Sequence, residues 1–281
     1  MIVVTGATGN VGRTLVPLLA EAGGEVVAVS RRPRLEGLPD GVRHARADVG
    51  DSAGMRPVLE GAEAFFVLLG GELNVSGESP AALLDAAVGA GVKRVVLLSS
   101  QSVATRPGSV SHARLRAFED AVRAAGTDHT VLRPGGFASN AFAWAGTVRS
   151  ERTVYAPFGD VALPVVDPAD IAAVAAAALL EEGHAGRVYT LTGPEAVSPR
   201  EQAAALGRAL GEEVRFVELP RERAHAHMAR FMPEDAVTGT LDVLGAPMAG
   251  ERAVGPDVEA VLGRPARSFA DWAVRNAEAF R

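Results

Sequence analysis

The 281-residue chain has no cysteine. That excludes disulfides, a thiol nucleophile and thiolate metal ligands, and makes the cytoplasm the default location. It has one lysine, Lys93, so nearly all of its positive charge is arginine. Its only tyrosines are Tyr155 and Tyr189, which leaves little phenolic chemistry to draw on. A net charge of −6 without a basic block leaves no electrostatic footprint for nucleic acid. No run approaches the roughly eighteen apolar residues of a membrane span. The Ala-rich stretch from Ile171 to Leu180 is short enough to be a buried helix. The first residues form a core-type strand, not a charged region before an apolar one, so no signal peptide is expected. His225 and His227 are two apart and cannot share a helix face, so no metal site is expected.

What is present is concentrated at the start. Ile2-Val3-Val4 is an apolar β-branched run that leads into glycines at 6, 9 and 12, and a Leu-rich stretch at helical spacing follows. Strand, glycine turn and helix in that order make a dinucleotide-binding loop. Gly6 serves the tight turn, Gly9 lets the backbone approach a pyrophosphate, and Gly12 permits close helix packing. Thr8, Asn10 and Val11 complete the loop, and the helix start offers its free N–H groups to an anion.

The second strand, Glu25 to Ser30, ends in Ser30-Arg31-Arg32 with no carboxylate. In this fold an acid there holds the ribose of NAD, whereas arginine accepts the 2′-phosphate of NADP. NADP(H) is therefore expected over NAD(H). A third strand, Val42 to Ala47, ends at Asp48-Val49. Asp48 either meets the adenine or caps the helix starting near Asp51 and Ser52. Further strands are expected at Glu63–Gly71, Arg94–Ser100 and His129–Arg133, with helices at Ser79–Ala90 and His112–Ala125 between them. This alternation predicts a doubly wound parallel sheet. Beyond Pro134-Gly135-Gly136-Phe137 the rhythm loosens. Strands are expected at Val161–Val166, Arg187–Leu191 and Val214–Leu219, and helix starts at Asp167-Pro168-Ala169-Asp170 and Ser198-Pro199-Arg200-Glu201. Both aspartates read as caps. The expected organisation is an NAD(P)-binding domain over 1–150 and a smaller, mostly helical substrate subdomain over 151–281, with strands returning to the main sheet.

These pieces, from Thr5–Gly12 through Ser30–Pro33, Asp48-Val49, Val95–Ser100, Thr130–Phe137 and Val166–Ile171 to Gly263–Phe269, resemble the atypical, NmrA-like branch of the short-chain dehydrogenase/reductases. The resemblance implies NADP(H) across the strand ends, with Arg31 at the 2′-phosphate and Arg32 beside it. Leu69, Gly70 and Ser99 would line the cofactor, and Pro134, Gly136 and Phe137 would lie near the nicotinamide. One departure matters. The wider superfamily uses a Tyr-x-x-x-Lys pair on the helix after the fifth strand, and this chain has none. Counting back from Glu119, Ser111 and Leu115 stand at those positions.

Two readings follow. In the first, the protein is an NADPH-dependent reductase of a ketone or quinone carbonyl, relying on positioning and electrostatics. Ser99, Ser100 and Gln101 would then polarise the substrate, and His112 would serve as a candidate acid. In the second, it is a non-catalytic NADP(H) sensor acting on a partner protein. Reduction or isomerisation of a small carbon–carbon double bond is a third. Phe137, Phe142, Trp144, Tyr155, Phe158, Met228, Phe231 and Met232 fall in the expected substrate region. Should several line a pocket, a bulky, flat, polycyclic aromatic substrate fits. The coding bias implied by arginine, alanine and glycine usage suggests antibiotic or other secondary metabolism. Monomer and dimer remain equally open.

Overall fold

The computed structural model describes residues 1–70 and 77–281; Gly71, assigned above to the fourth strand, lies outside them. The first half alternates strand and helix: β1 (Ile2–Val4), α1 (Gly12–Glu21), β2 (Val26–Ser30), β3 (Val42–Arg46), α2 (Ser52–Leu59), β4 (Ala64–Leu68), α3 (Pro80–Gly89) and β5 (Arg94–Leu98). A short α4 (Ser102–Thr105), then α5 (Ala113–Ala124) and β6 (Asp128–Pro134), complete it. Next come α6 (Ala145–Glu151), β7 (Thr153–Ala156), α7 (Pro168–Leu180), β8 (Arg187–Leu191), α8 (Pro199–Leu210) and β9 (Arg215–Glu218). Four helices and a terminal one close the chain: α9 (Arg221–Met228), α10 (Glu234–Gly245), α11 (Ala249–Arg252), α12 (Asp257–Leu262) and α13 (Phe269–Arg275).

Seven strands form one parallel sheet in the order β3-β2-β1-β4-β5-β6-β8. Its central strands are continuous apolar runs because helices cover both faces. Val4, Ala28, Phe66 and Val96 pack with α1 and α7 on one face. Val3, Phe65, Val95 and Leu97 pack with α2, α3 and α5 on the other. Strand order reverses between β1 and β4, and in open α/β sheets the crevice at such a reversal is where ligands bind.

Part of the second half belongs to this body, since α7 packs on α1 and β8 is the sheet's last strand. The remainder is helical around a small β7-β9 sheet. One cluster joins α6, α8 and α13, and another joins α9 to α10.

Two expectations fail here. Val161–Val166 forms no strand; it makes only single bridges, Leu163 to Val197 and Val166 to Phe137. Pro164 interrupts it, having no N–H for a ladder, and its carbonyl accepts from the Gly193 amide instead. β7, four residues long, is too short to show periodicity in the sequence. Asp167 caps α7 as expected, accepting from the Ala169 amide at 2.9 Å, but Asp170 is no cap. It is fully buried and accepts from the Arg264 guanidinium at 2.7 Å, the Arg267 amide at 2.6 Å and the Arg267 guanidinium. It anchors the C-terminal segment to the sheet body.

Candidate cofactor cleft and active site

At the end of β1 the chain turns through Gly6, whose φ of 64° favours glycine. A Cβ on Gly12 would stand 2.2 Å from the Gly6 carbonyl oxygen, so the loop closes on α1 only because no side chain is there. No side chain caps the start of α1, and its first turn carries no acid. Thr8, Gly9 and Asn10 are exposed, while Val11 is buried in the core. Asn10 donates to Ser139 Oγ at 3.0 Å, which ties the loop to the segment after β6.

Ser30 ends β2, buried, with exposed Arg31 and Arg32 directly after it. Asp48 is exposed and accepts from the Gly50 amide at 2.9 Å, and the cap of α2 is Asp51, which accepts from Gly54. Val49 packs partly against the core. Leu69 is buried, and Gly70 has open space where a side chain would be.

The loops after β5 and β6 meet. The Gln101 amide donates to the Pro134 carbonyl at 2.9 Å, and Phe137 bridges to Val166. Gly136 is exposed beside them. Ser99 donates its hydroxyl to Glu119 at 2.6 Å. Glu119, 1% exposed, also accepts from both ends of the Arg133 fork at 2.9 and 2.5 Å and from Arg123 at 2.7 Å. Burial alone would raise this carboxyl. The hydrogen bonds from Arg133, Ser99 and Arg123 outweigh it and hold it below its usual value. The Ser99 proton is thus committed to the interface of sheet and α5. The sequence named Glu119 only as a counting mark, and nothing local distinguished it as the centre of this network.

Ser100 is half-buried and its Oγ accepts from the Ser102 amide at 3.2 Å. Gln101 is buried, and its Nε2 donates to the Gly250 carbonyl at 2.5 Å. The same loop carries Arg106, which places Nε at 2.7 Å and Nη2 at 2.8 Å on Glu251 in α11 and also donates to the Ala246 carbonyl at the end of α10. Thr105, Arg106, Ser109, Gly239, Asp242 and Met248 line a cavity of about 360 Å³ beside this lock. His112 stands at the start of α5, its Nδ1 3.0 Å from Ser111 Oγ, with Ser109 Oγ 2.8 Å from Ser111. Burial, then the nearby Arg116 charge, lowers its pKa, so the imidazole is neutral at neutral pH.

Ser111, where the resemblance would place tyrosine, lies in the turn before α5, and Leu115, where it would place lysine, lies in the first turn of α5. Lys93 precedes β5 and lies at the far end of the sheet. The Tyr155 hydroxyl donates to Glu151, and the Tyr189 hydroxyl is 2.9 Å from His184 Nδ1. The aromatic residues proposed for a substrate pocket are mostly committed elsewhere. Phe142 packs against Trp272 and Phe280, with Trp144 against the same core. Phe158, Met228 and Met232 pack on Val237 and Leu241, and Phe231 is exposed. Aromatic content signalled core there, because the small subdomain has two hydrophobic clusters of its own to fill.

Among the described residues the cleft suits a dinucleotide: a helix start with no side-chain cap, a loop that a Cβ would fill, open space at Gly70 and arginines in no ion pair after β2. Fold and cleft together define a Rossmann-type nucleotide-binding protein. More narrowly, the chain belongs to the NmrA-like family, whose profile matches residues 1–251. It is 40% identical, over all of itself and 99% of the relative, to (4-alkanoyl-5-oxo-2,5-dihydrofuran-3-yl)methyl phosphate reductase of Streptomyces griseus. It is 35% identical, over the same shares, to NAD(P)H azoreductase of Xenophilus azovorans. The NADPH-dependent quinone oxidoreductase of Escherichia coli, solved in complex with NADPH, matches in structure with a TM-score of 0.81 at 26% identity, covering 98% of this chain and 99% of that one. No helix among the described residues is long and apolar enough to cross a membrane.

Proposed function

We propose that the protein is an NADPH-dependent reductase of flat, conjugated acceptors, quinones and strongly activated enones, whose reduced anion is stabilised by its own delocalisation. What supports this reading is a glycine loop closed against the start of α1 in a chain whose one lysine and two tyrosines make no Tyr-x-x-x-Lys pair. Reduction of an isolated ketone leaves an alkoxide, which needs a strong acid at hand. A quinone yields a phenolate, and an enone flanked by two carbonyls yields a delocalised enolate; either takes its proton from water.

The loop from Gly6 to Gly12, with Thr8, Asn10 and Val11, would hold the pyrophosphate of NADP(H). Arg31 and Arg32 would hold the 2′-phosphate, and Asp48 and Val49 would face the adenine side. Leu69, Gly70, Pro134, Gly136 and Phe137 would wall the nicotinamide. NADPH bound there supplies a hydride. Ser100 orients the acceptor carbonyl from the strand end, His112 stands by as a neutral donor, and Gln101 keeps the loop against α11. Ser99 acts on this site through Glu119, not at the substrate. The names of the relatives support the chemistry: an oxo-dihydrofuran carrying a second acyl group, an azo compound and a quinone are all conjugated acceptors. The 40% relative equally favours reduction of a conjugated carbon–carbon double bond, which follows the same electronic logic. Polycyclic aromatic quinones remain within this class.

The test is NADPH consumption against a naphthoquinone, an anthraquinone, an acyl-butenolide and an unconjugated ketone of similar size, with NADH in parallel. Turnover of the conjugated acceptors alone, with NADPH preferred, is expected. Equal turnover of the isolated ketone would point to a hidden acid. Tight NADP⁺ binding without turnover of any acceptor would favour the sensor.

A further inference from the structure

Where an acid at the end of the second strand would select NAD, this chain has Ser30, and Ser30 is not alone. Its hydroxyl lies 3.0 Å from Nε2 of His44 on the edge strand β3. The parallel register sets Arg46 directly across from Ser30 and His44 across from Ala28, so all four share one face of the sheet. Ser30 is buried, His44 half-buried and Arg46 exposed. Among the described residues, Arg31, Arg32 and Arg46 take part in no ion pair. One hydroxyl in contact with a histidine thus lies beside three arginines, two next in the chain and one across the register, that take part in no ion pair among the described residues.

That contact has two settings. With the proton on Nδ1, the imidazole accepts from Ser30, which consumes the serine proton and presents only lone pairs to an incoming anion. With the proton on Nε2, the imidazole donates to Ser30 Oγ and leaves the serine hydroxyl free to donate. Only the second setting favours a phosphate.

We propose that His44 is a positioning residue for cofactor choice: it donates Nε2–H to Ser30, so that the Ser30 hydroxyl binds the 2′-phosphate of NADP(H) while Arg46 adds positive charge from the third strand. This rests on the reading of the chain as an NADPH-dependent reductase, and extends that phosphate site to a strand the sequence motif does not include.

Titration calorimetry with NADP⁺ and NAD⁺ on the wild type, His44→Phe and His44→Gln tests it. His44→Phe should weaken NADP⁺ about tenfold, the scale of one hydrogen bond to a charged group, and NAD⁺ less than about twofold. His44→Gln, whose amide can donate to Ser30, should recover most of the loss. Arg46→Ala should likewise weaken NADP⁺ selectively. Equal weakening of both cofactors, or none, would overturn the proposal by reducing His44 to a structural contact. Should His44→Phe not fold, ¹⁵N spectra of the wild-type imidazole decide: Nε2 protonated in the NADP⁺ complex supports the assignment, and Nδ1 protonated removes it. A wild type that binds neither dinucleotide, or prefers NAD⁺, refutes the underlying cofactor reading instead.

Discussion

Arg106 and Glu251 are paired fork to carboxylate across 145 residues, with Glu251 only 3% exposed. Burial would raise the Glu251 carboxyl, yet the bonds from Arg106, the Met248 amide and Thr105 win and lower it. The loop after β5 is thereby locked to the end of α10 and to α11, which makes one rigid wall out of two distant stretches of sequence. Truncating one partner of such a buried pair strands the other charge. Arg106→Ala should cost about 3 kcal/mol in a urea melt. Arg106→Lys should recover only part, since a lysine cannot present two nitrogens to one carboxylate. A loss under 1 kcal/mol for Arg106→Ala would mean that the pair is solvated in solution.

Glu119 contributes to the acid sensitivity of the fold. Its folded-state pKa lies below the unfolded value of about 4.3, so its stabilisation is complete above that pH and is lost as pH falls through the folded value. Glu119→Gln should remove about 3 kcal/mol at pH 7 and flatten the decline of stability below about pH 4. Melts across pH 3 to 7 that run parallel for the two proteins would contradict this.

Ser99 can be separated from Ser100 by the same logic. Ser99→Ala removes one donor to Glu119 and leaves its arginines, so stability should fall by about 1.5 kcal/mol with turnover changed by less than about threefold. Ser100→Ala should leave stability nearly unchanged and reduce kcat with quinones. The reverse pattern would place Ser99 at the substrate.

Gly12 tests the cleft itself. The Cβ of Gly12→Ala would collide with the Gly6 carbonyl, and overpacking of this kind costs about 1–3 kcal/mol. NADP⁺ binding should be lost while the protein stays folded, as calorimetry and circular dichroism together would reveal. Retained binding would mean that the loop has room to shift.

The parts of this molecule legible in the sequence are those decided locally. The turn through Gly6, the caps at Asp167 and Ser198, and the buried parallel strands each depend on neighbours within a few residues, whereas the cap of α2 fell to Asp51 and not to Asp48. The parts missed depend on distant partners. Asp170 looks like any first-turn acid until Arg264 and Arg267, more than ninety residues later, arrive to bury it. Phe142 reads as core or pocket, core being the commoner fate of such a residue, and Trp272 and Phe280 decide it by packing against it. His44 carried no signal at all, because its meaning comes from strand register.

His112 offers a pH signature independent of catalysis. Burial and the nearby Arg116 depress its folded-state pKa below the unfolded value of about 6.5. Its contribution to stability is therefore intact above about pH 6.5 and is eroded as pH falls toward the folded value, because the unfolded chain takes up the proton first. His112→Asn keeps a hydrogen-bonding partner for Ser111 and removes the titration. The difference in stability between wild type and variant should thus shift against the wild type between about pH 7 and pH 5, the other histidines cancelling in the subtraction. If His112 also delivers a proton to the acceptor, kcat for the variant should fall at every pH in that window. If stability alone moves and kcat holds, water is the proton source, and delocalisation in the acceptor is what lets this cleft do without a tyrosine.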